Sequence, residues 1–224
     1  MPLARRSLAE FVGTFVLIVC GCGAVIVDND TKALTLPGIA LVWGLTVLAL
    51  AYTLGDLSGC HINPAVTVGF AAARRFPWAE VLPYVAAQVA GAFAAAGLLA
   101  LLFPENDKHF TTLPRGAWGQ AFALEVFLTW FLMLAVLGVS TGAKEKGITA
   151  GIAVGGVIAL EVLVGGPISG ASMNPARSLA PAVVTGPVNS VWLYLLAPTL
   201  GAVLAVPTYA MLNPRKGDSP EDRT

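Results

Sequence analysis

The sequence predicts an all-α membrane protein with six transmembrane helices, two re-entrant half-helices and an inverted repeat. Three observations lead to this prediction. First, 56% of the 224 residues are hydrophobic and 12% are charged, about half the charged fraction of a soluble domain. Second, six apolar stretches are long enough to cross a bilayer. Third, a polar, glycine-rich motif followed by a short apolar stretch occurs once in each half of the chain.

The predicted spans follow from length and hydrophobicity. A transmembrane helix needs about 20 mostly apolar residues. Stretches of this kind occupy residues 7–27, 36–54, 80–103, 117–139, 147–165 and 191–212. The first contains Glu10 and no small-residue cleavage site followed by a soluble domain, so we interpret it as a retained helix. The cysteines (Cys20, Cys22 and Cys60) have neither disulfide nor metal-ligand spacing, and we predict no metal and no cofactor.

The orientation follows from the positive charges, because Lys and Arg accumulate on the cytoplasmic side of a membrane. An even number of spans places both termini on one side. With the termini inside, the inner segments contain Arg5, Arg6, Arg74, Arg75, Lys144, Lys146, Arg215, Lys216 and Arg223. The outer loops contain only Lys32, Lys108 and Arg115. We therefore expect a multi-pass protein of the cell membrane with cytoplasmic termini, and the net charge of zero gives no indication of a nucleic-acid partner.

The two halves of the chain repeat one design. The motif SGCHINPA at 58–65 recurs in the second half as SGASMNPA at 169–176. Glu10 and Glu125, and likewise Tyr84 and Tyr194, are related by nearly the same offset. The sequence thus predicts a single domain, 1–224, with repeat one at about 7–103 and repeat two at about 117–212. Each repeat has an odd number of spans, so the second is inverted and the functional site lies near the bilayer midplane.

Each motif predicts the start of a short helix. Asn is a favoured N-cap and Pro a favoured first helical residue, and the two tripeptides are Asn63-Pro64-Ala65 and Asn174-Pro175-Ala176. The apolar stretch after the first motif has room for about ten helical residues, or about 15 Å, which is half the hydrocarbon thickness. Two such half-helices entering from opposite sides meet at their amino ends, and the tripeptides form a waist at mid-membrane.

The residues before each waist tripeptide are predicted to line a pore. Irregular backbone at this depth is tolerated only where protein covers it or where it lines an aqueous cavity. The predicted carbonyl-lining residues are Gly59, Cys60, His61, Gly170 and Ser172. Both helix dipoles present positive ends at the waist, which repels cations and orients neutral hydroxyl compounds. The chain shows no nucleophile–base pair, so we predict a pore and not an enzyme.

The duplicated motif within six spans resembles the major intrinsic protein family, the aquaporins and aquaglyceroporins, over nearly the whole chain. This resemblance implies an aquaporin-like right-handed bundle, one pore per subunit, a homotetramer and passive flow of water or glycerol. It also implies that Glu10 and Glu125 brace the re-entrant loops by accepting hydrogen bonds from them, although an intramembrane carboxylate can also mark an ion path.

The resemblance further implies a selectivity filter formed by Trp43, Val162, Ala171 and Arg177. Strict water channels usually have Phe and His at the first two positions, so the filter here is expected to be wider and more apolar, as suits glycerol. The quartet resembles that of the nodulin-like intrinsic proteins of plants. Ser178 departs from the pattern, because dedicated glycerol facilitators usually have Asp after the filter arginine.

Several alternatives remain open at the level of the sequence. The channel can be predominantly water-selective, or pass metalloid hydroxides such as arsenous or boric acid. A secondary transporter also uses inverted repeats and broken helices, and Glu161 is its one candidate coupling carboxylate. The role of Glu161 is otherwise undetermined. His61 is interpreted as a loop brace or, alternatively, as a pH gate, and Cys60 as a residue that mercurials reach from the pore.

Overall fold

The fold consists of α-helices throughout the part of the chain that the structure describes. This computed structural model describes residues 1–104, 110–140 and 144–213, with side chains except those of residues 144–148. The helices are α1 (Leu3–Thr31), α2 (Thr35–Ser58), α3 (Pro64–Ala72), α4 (Trp78–Leu102), α5 (Trp118–Val139), α6 (Lys144–Ser169), α7 (Pro175–Thr185) and α8 (Val191–Leu212). Of the charges used to predict orientation, Lys108, Arg215, Lys216 and Arg223 lie outside the described residues.

The predicted six spans and two half-helices are confirmed. Six helices are long and apolar enough to cross a membrane, namely α1, α2, α4, α5, the part of α6 from Thr149 to Ser169, and α8. The half-helices α3 and α7 have 9 and 11 residues. Three of the long helices, α1, α2 and α6, extend beyond the hydropathy-based limits at both ends; α2, for example, continues from Leu54 to Ser58. Polar residues outside the hydrocarbon remain helical, and hydropathy does not detect them.

The two repeats have equivalent internal packing. In the first, α1 packs against α2 and α4, and in the second α5 packs against α6 and α8. The repeats are joined by contacts between α2 and α6. The half-helix α3 also contacts α8, and α7 contacts α4, so each half-helix lies beside the last helix of the other repeat. These contacts between the repeats hold both half-helices at the centre of the bundle.

Glycines permit close helix crossings in each repeat. A Cβ atom on Gly91 of α4 would collide with the carbonyl oxygen of Phe11 on α1. A Cβ atom on Gly201 of α8 would collide in the same way with the carbonyl oxygen of Val126 on α5. Small residues let transmembrane backbones approach closely. The two glycines occupy equivalent places in their repeats, so the same crossing occurs twice.

Candidate functional site

The two half-helices begin at the predicted tripeptides. The side-chain oxygen of Asn63 accepts a hydrogen bond from the Ala65 N–H at 2.9 Å. That of Asn174 accepts from the Ala176 N–H at 3.0 Å and the Arg177 N–H at 3.3 Å. In both cases proline is the first helical residue, where its missing N–H costs nothing. The caps therefore satisfy backbone donors that each helix start would leave unpaired.

The amino ends of the half-helices meet and exchange hydrogen bonds. The amide nitrogen of Asn63 donates to the Met173 carbonyl at 2.8 Å, and that of Asn174 donates to the Ile62 carbonyl at 2.9 Å. An asparagine amide carries two N–H donors. Each residue thus uses one donor to bind the opposite loop and retains a second one at the cavity wall, where both asparagines lie.

The loop before each half-helix has the same unusual backbone. Gly59 and Gly170 both have φ of 86°. Positive φ values also occur at Cys60 and Ile62 in the first loop and at their equivalents, Ala171 and Met173, in the second, with values between 42° and 52°. Residues other than glycine adopt this conformation at a cost of about 1–3 kcal/mol. Such loops require surrounding hydrogen bonds to hold them.

Glu10 supplies those bonds to the first loop. Its carboxylate is fully buried and accepts from the Ser58 hydroxyl at 2.6 Å and the backbone N–H groups of His61 at 2.9 Å and Ile62 at 2.6 Å. The Gln88 amide donates a further bond at 2.7 Å. Because all of these partners are donors, the contacts are those expected of a loop brace.

Glu125 makes the corresponding contacts to the second loop. It accepts from the Ser169 hydroxyl at 2.6 Å and from the N–H groups of Ser172 and Met173, both at 2.8 Å. Tyr194 adds a bond from its hydroxyl to the Ser169 carbonyl at 2.6 Å. The two carboxylates therefore have matching surroundings, as the repeat predicts.

A cavity of about 890 Å³ runs beside the waist. Its polar lining includes both waist asparagines, Cys60, His61 and Ser172, and the four predicted filter residues also border it. Its remaining wall is largely apolar; it includes Leu17, Val47, Val66, Phe70, Leu132, Val136, Val154 and Ile158. The cavity is thus amphipathic, with hydrogen-bonding groups along a hydrophobic surface.

Some predicted site residues lie elsewhere. Gly59 borders the cavity, but Gly170 does not. Both glycines have φ of 86°, and the difference is that Gly170 packs against Thr112 of the α4–α5 loop. The Pro and Ala residues of both tripeptides lie behind the asparagines, where they form the buried first turns of α3 and α7; they are Pro64, Ala65, Pro175 and Ala176. They shape the waist without bordering the cavity.

The predicted filter residues all border the cavity. The guanidinium carbon of Arg177 lies 5.0 Å from the centroid of the Trp43 ring, and the side chains of Val162 and Ala171 are also buried beside the cavity. The Nη1 atom of Arg177 has no hydrogen-bond partner among the described residues. Arg177 also has no ion-pair partner in that part of the chain, where the one salt bridge joins Arg6 and Glu80. The Arg177 guanidinium therefore borders the cavity opposite an apolar ring, and its Nη1 atom is buried.

His61 is packed as a structural residue. Its Nδ1 atom lies 3.2 Å from the Thr67 hydroxyl, and its ring contacts the rings of Phe70, Phe76 and Tyr84 with centroids 4.7–5.3 Å apart. These contacts hold the ring against the first loop and favour the loop-brace interpretation over a pH gate.

Glu161 lies outside the cavity. It is fully buried in α6, adjacent to Val162, and neither carboxyl oxygen has a hydrogen-bond partner among the described residues. A coupling carboxylate of a transporter would need access to the solute path. Its position therefore gives the transporter hypothesis no support.

Three residues of the site, Gln88, Thr67 and Thr112, were not predicted from the sequence. Gln88 braces Glu10 and also donates to Thr67 at 3.0 Å. Thr112 donates to the Ser178 hydroxyl, and both side chains are buried. Gln88 is an amide in the middle of an apolar span, which is a usable signal. Thr112 lies in a loop and has no such signal.

These features together define a transmembrane channel: opposed half-helices meet at mid-bundle beside an amphipathic cavity, with an unpaired cationic donor on its wall. A sequence profile described as major intrinsic protein matches residues 1–209. This chain belongs to the major intrinsic protein family, and the predicted family and fold are confirmed.

Individual relatives agree with this assignment. The chain is 47% identical over 214 residues to aquaporin NIP1-1 of Oryza sativa subsp. japonica, covering 95% of this chain and 75% of that protein. It is 46% identical over 226 residues to nodulin-26 of Glycine max, covering 100% and 83%. The structure is similar to the aquaglyceroporin from Plasmodium falciparum, with a TM-score of 0.80 and 27% identity over 93% of this chain and 96% of that one. The chain is thus a channel for water and small neutral solutes.

Proposed function

We propose that this channel passes glycerol-type polyols together with water, and that it excludes ions and protons. The observation that carries the proposal is the pairing of the Arg177 guanidinium with the Trp43 ring, 5.0 Å apart, beside the small side chains of Val162 and Ala171. In this proposal the four residues form the selectivity filter of a single channel domain.

The chemistry of glycerol matches this wall. One face of a polyol can lie with its carbons against Trp43 and Val162, while its hydroxyl oxygens accept bonds from the part of the Arg177 guanidinium that borders the cavity. Few precisely placed polar groups within an apolar lining are typical of sites for small ligands. With Val162 at its position, the filter offers no second polar side chain that would hold water in preference to a polyol.

Exclusion of cations is assigned to the waist. The amino ends of α3 and α7 each carry about half a positive charge, and the second amide donors of Asn63 and Asn174 add to this field. Arg177 contributes a full charge nearby. A water or hydroxyl oxygen at the waist is oriented by these donors, whereas a cation is repelled.

A predominantly water-selective channel is the second candidate. The hydroxyl of Ser178 occupies the position after Arg177 where an acid is expected in a glycerol facilitator, and it is bonded to Thr112 and Ser172. A channel for metalloid hydroxides shares the same recognition chemistry, because these solutes are also small neutral polyhydroxy compounds.

We also propose a homotetramer in the cell membrane, with both termini in the cytoplasm. The described basic residues near the amino terminus and after α3 support the orientation; they are Arg5, Arg6, Arg74 and Arg75. Large exposed apolar side chains such as Leu82 and Leu101, at 76% and 81% exposure, require lipid or neighbouring copies to cover them.

Stopped-flow light scattering of proteoliposomes tests the substrate. After a hyperosmotic glycerol step we expect rapid shrinkage followed by reswelling as glycerol enters, and after a sucrose step we expect shrinkage alone. Shrinkage without reswelling in glycerol would instead establish water selectivity. Glycerol uptake that saturates at low concentration, or that follows a sodium or proton gradient, would favour a transporter.

A further inference from the structure

The α4–α5 loop, of which residues 103–104 and 110–117 are described, bonds to the second half of the channel through Arg115 and Thr112. The backbone N–H of Arg115 donates to the Ile168 carbonyl at the end of α6, at 2.9 Å. The hydroxyl of Thr112 donates to the hydroxyl of Ser178 on α7. Thr112 is 4% exposed and Ser178 is 1% exposed. Thr112 is therefore buried against the turn that contains Arg177 and Ser178, whereas residues 115–117 of the same loop are exposed.

Thr112 begins a chain of hydroxyl groups that ends at the waist. The Ser178 hydroxyl is within bonding distance of the Ser172 hydroxyl, which donates to the Asn174 carbonyl at 3.0 Å. A hydroxyl has one proton to donate. Because the proton of Ser172 goes to a carbonyl, Ser178 must donate to Ser172, and Thr112 to Ser178. These hydrogen bonds therefore all point in one direction, from the loop residue Thr112 to the N-cap residue Asn174.

This row of hydroxyl groups lies next to two residues of the proposed filter. Ser178 follows Arg177 directly, and Ser172 follows Ala171 directly. The methyl carbon of Thr112 also packs on Gly170, where an added Cβ would lie 3.0 Å from it. Thr112 thus contacts Gly170, which precedes the filter residue Ala171, and Ser178, which follows the filter residue Arg177. No carboxylate among the described residues pairs with Arg177, so the position of its helical turn depends on such neutral contacts.

The first half of the channel lacks this link to a loop. The equivalents of Ser172 and Ser178 in the first motif are His61 and Thr67, and they are also bonded to each other. The third partner there is Gln88, which lies on α4. Only in the second half, among the described residues, does a loop residue complete the network.

We infer that Thr112 is a positioning residue for the filter: through Ser178 and Ser172, the α4–α5 loop fixes the opening between Arg177 and Ala171 and so limits the size of the solutes that pass. This inference rests on the proposed function, because it takes Arg177 and Ala171 as filter residues. Thr112 itself acts through its neighbours and makes no contact with the solute.

The test compares Thr112→Val, which keeps the shape and removes the hydroxyl, with Thr112→Ser, which keeps the hydroxyl. Water, glycerol and erythritol permeabilities are measured in proteoliposomes. We expect Thr112→Val to raise the ratio of erythritol to glycerol permeability about fivefold, the equilibrium factor that loss of one neutral hydrogen bond produces. Thr112→Ser should keep the wild-type ratio. Ser178→Ala removes the acceptor of the same hydrogen bond and should raise the ratio by a similar factor. It also provides the test if Thr112→Val does not fold.

Thr129→Val is the matched control. Thr129 is also fully buried, but its hydroxyl bonds the Glu125 carbonyl within its own helix at 2.8 Å. A wild-type ratio in both Thr112→Val and Ser178→Ala, or an equal increase in Thr129→Val or Thr112→Ser, would overturn the inference. If the wild-type channel passes no glycerol, the proposed function fails instead, and that result is visible before any variant is made.

Discussion

The two re-entrant segments share their backbone and caps but differ in the side chains around them. Asn63 and Asn174 cap their helices and cross-bond in the same way. By contrast, Arg177 has Val66 as its counterpart, since each is the third residue after its waist asparagine, and both border the cavity. The comparison teaches that the symmetric residues build the waist, whereas the asymmetric ones include Arg177, the charged member of the proposed filter.

The largest expected effect comes from removing a brace. Glu10→Ala would leave four donors without an acceptor and Glu125→Ala three. Each buried unsatisfied group costs about 1–3 kcal/mol, and a domain is stable by only about 5–15 kcal/mol. We expect neither variant to give a folded peak in size-exclusion chromatography in detergent. A wild-type melting temperature for either would show that the loops do not depend on these carboxylates.

Making the filter symmetric should have the next largest effect. Arg177→Val gives the second half the residue of the first and removes the cationic donor from the filter. Two unit charges separated by about 8 Å repel each other by about 2 kcal/mol at an effective dielectric constant of 20. Removing the charge of Arg177 lowers the barrier to a passing cation by an energy of this order, so we expect cation leakage to rise at least tenfold. The readout is dissipation of a potassium gradient in proteoliposomes. Val66→Ile, a control on the same cavity in the first half, should leave the gradient intact.

Val162→His tests the apolar side of the filter. The imidazole narrows the opening and adds a donor, so we expect glycerol permeability to fall about fivefold, a cost near 1 kcal/mol, with a smaller loss for water. Both permeabilities come from the same swelling traces. Equal losses for the two solutes would contradict the filter assignment.

Replacing the unpaired carboxyl of Glu161 should leave transport unchanged. Its counterpart in the first repeat is Leu48, at the offset that also relates Gly38 to Gly151. A buried polar group without a hydrogen-bond partner costs about 1–3 kcal/mol, and each kcal/mol regained raises the melting temperature by about 2–4 °C in a chain of this size. We expect Glu161→Leu to melt several degrees higher with wild-type glycerol flux. Loss of flux would restore Glu161 as a functional residue.

The sequence predicted the parts of this structure that depend on local signals. Spans follow from hydropathy, half-helix starts from Asn-Pro capping, and the paired braces Glu10 and Glu125 from a nearly constant offset between the repeats. It did not predict Thr112, because a loop residue acquires its role only when folding places it beside Ser178, which is distant in the chain. Nor did it exclude Gly170 from the cavity wall, because that position depends on the packing of Thr112, which is distant in the chain.

His61→Gln tests the pH-gate hypothesis. The His61 ring packs against Phe70, Phe76 and Tyr84, and its Nδ1 atom lies 3.2 Å from the Thr67 hydroxyl. Because a ring held in this way braces the first loop, we expect glycerol flux to stay constant between pH 5 and 8 in the wild type and in His61→Gln. The readout is the glycerol permeability of proteoliposomes at each pH; a pH-dependent flux abolished by His61→Gln would identify a gate.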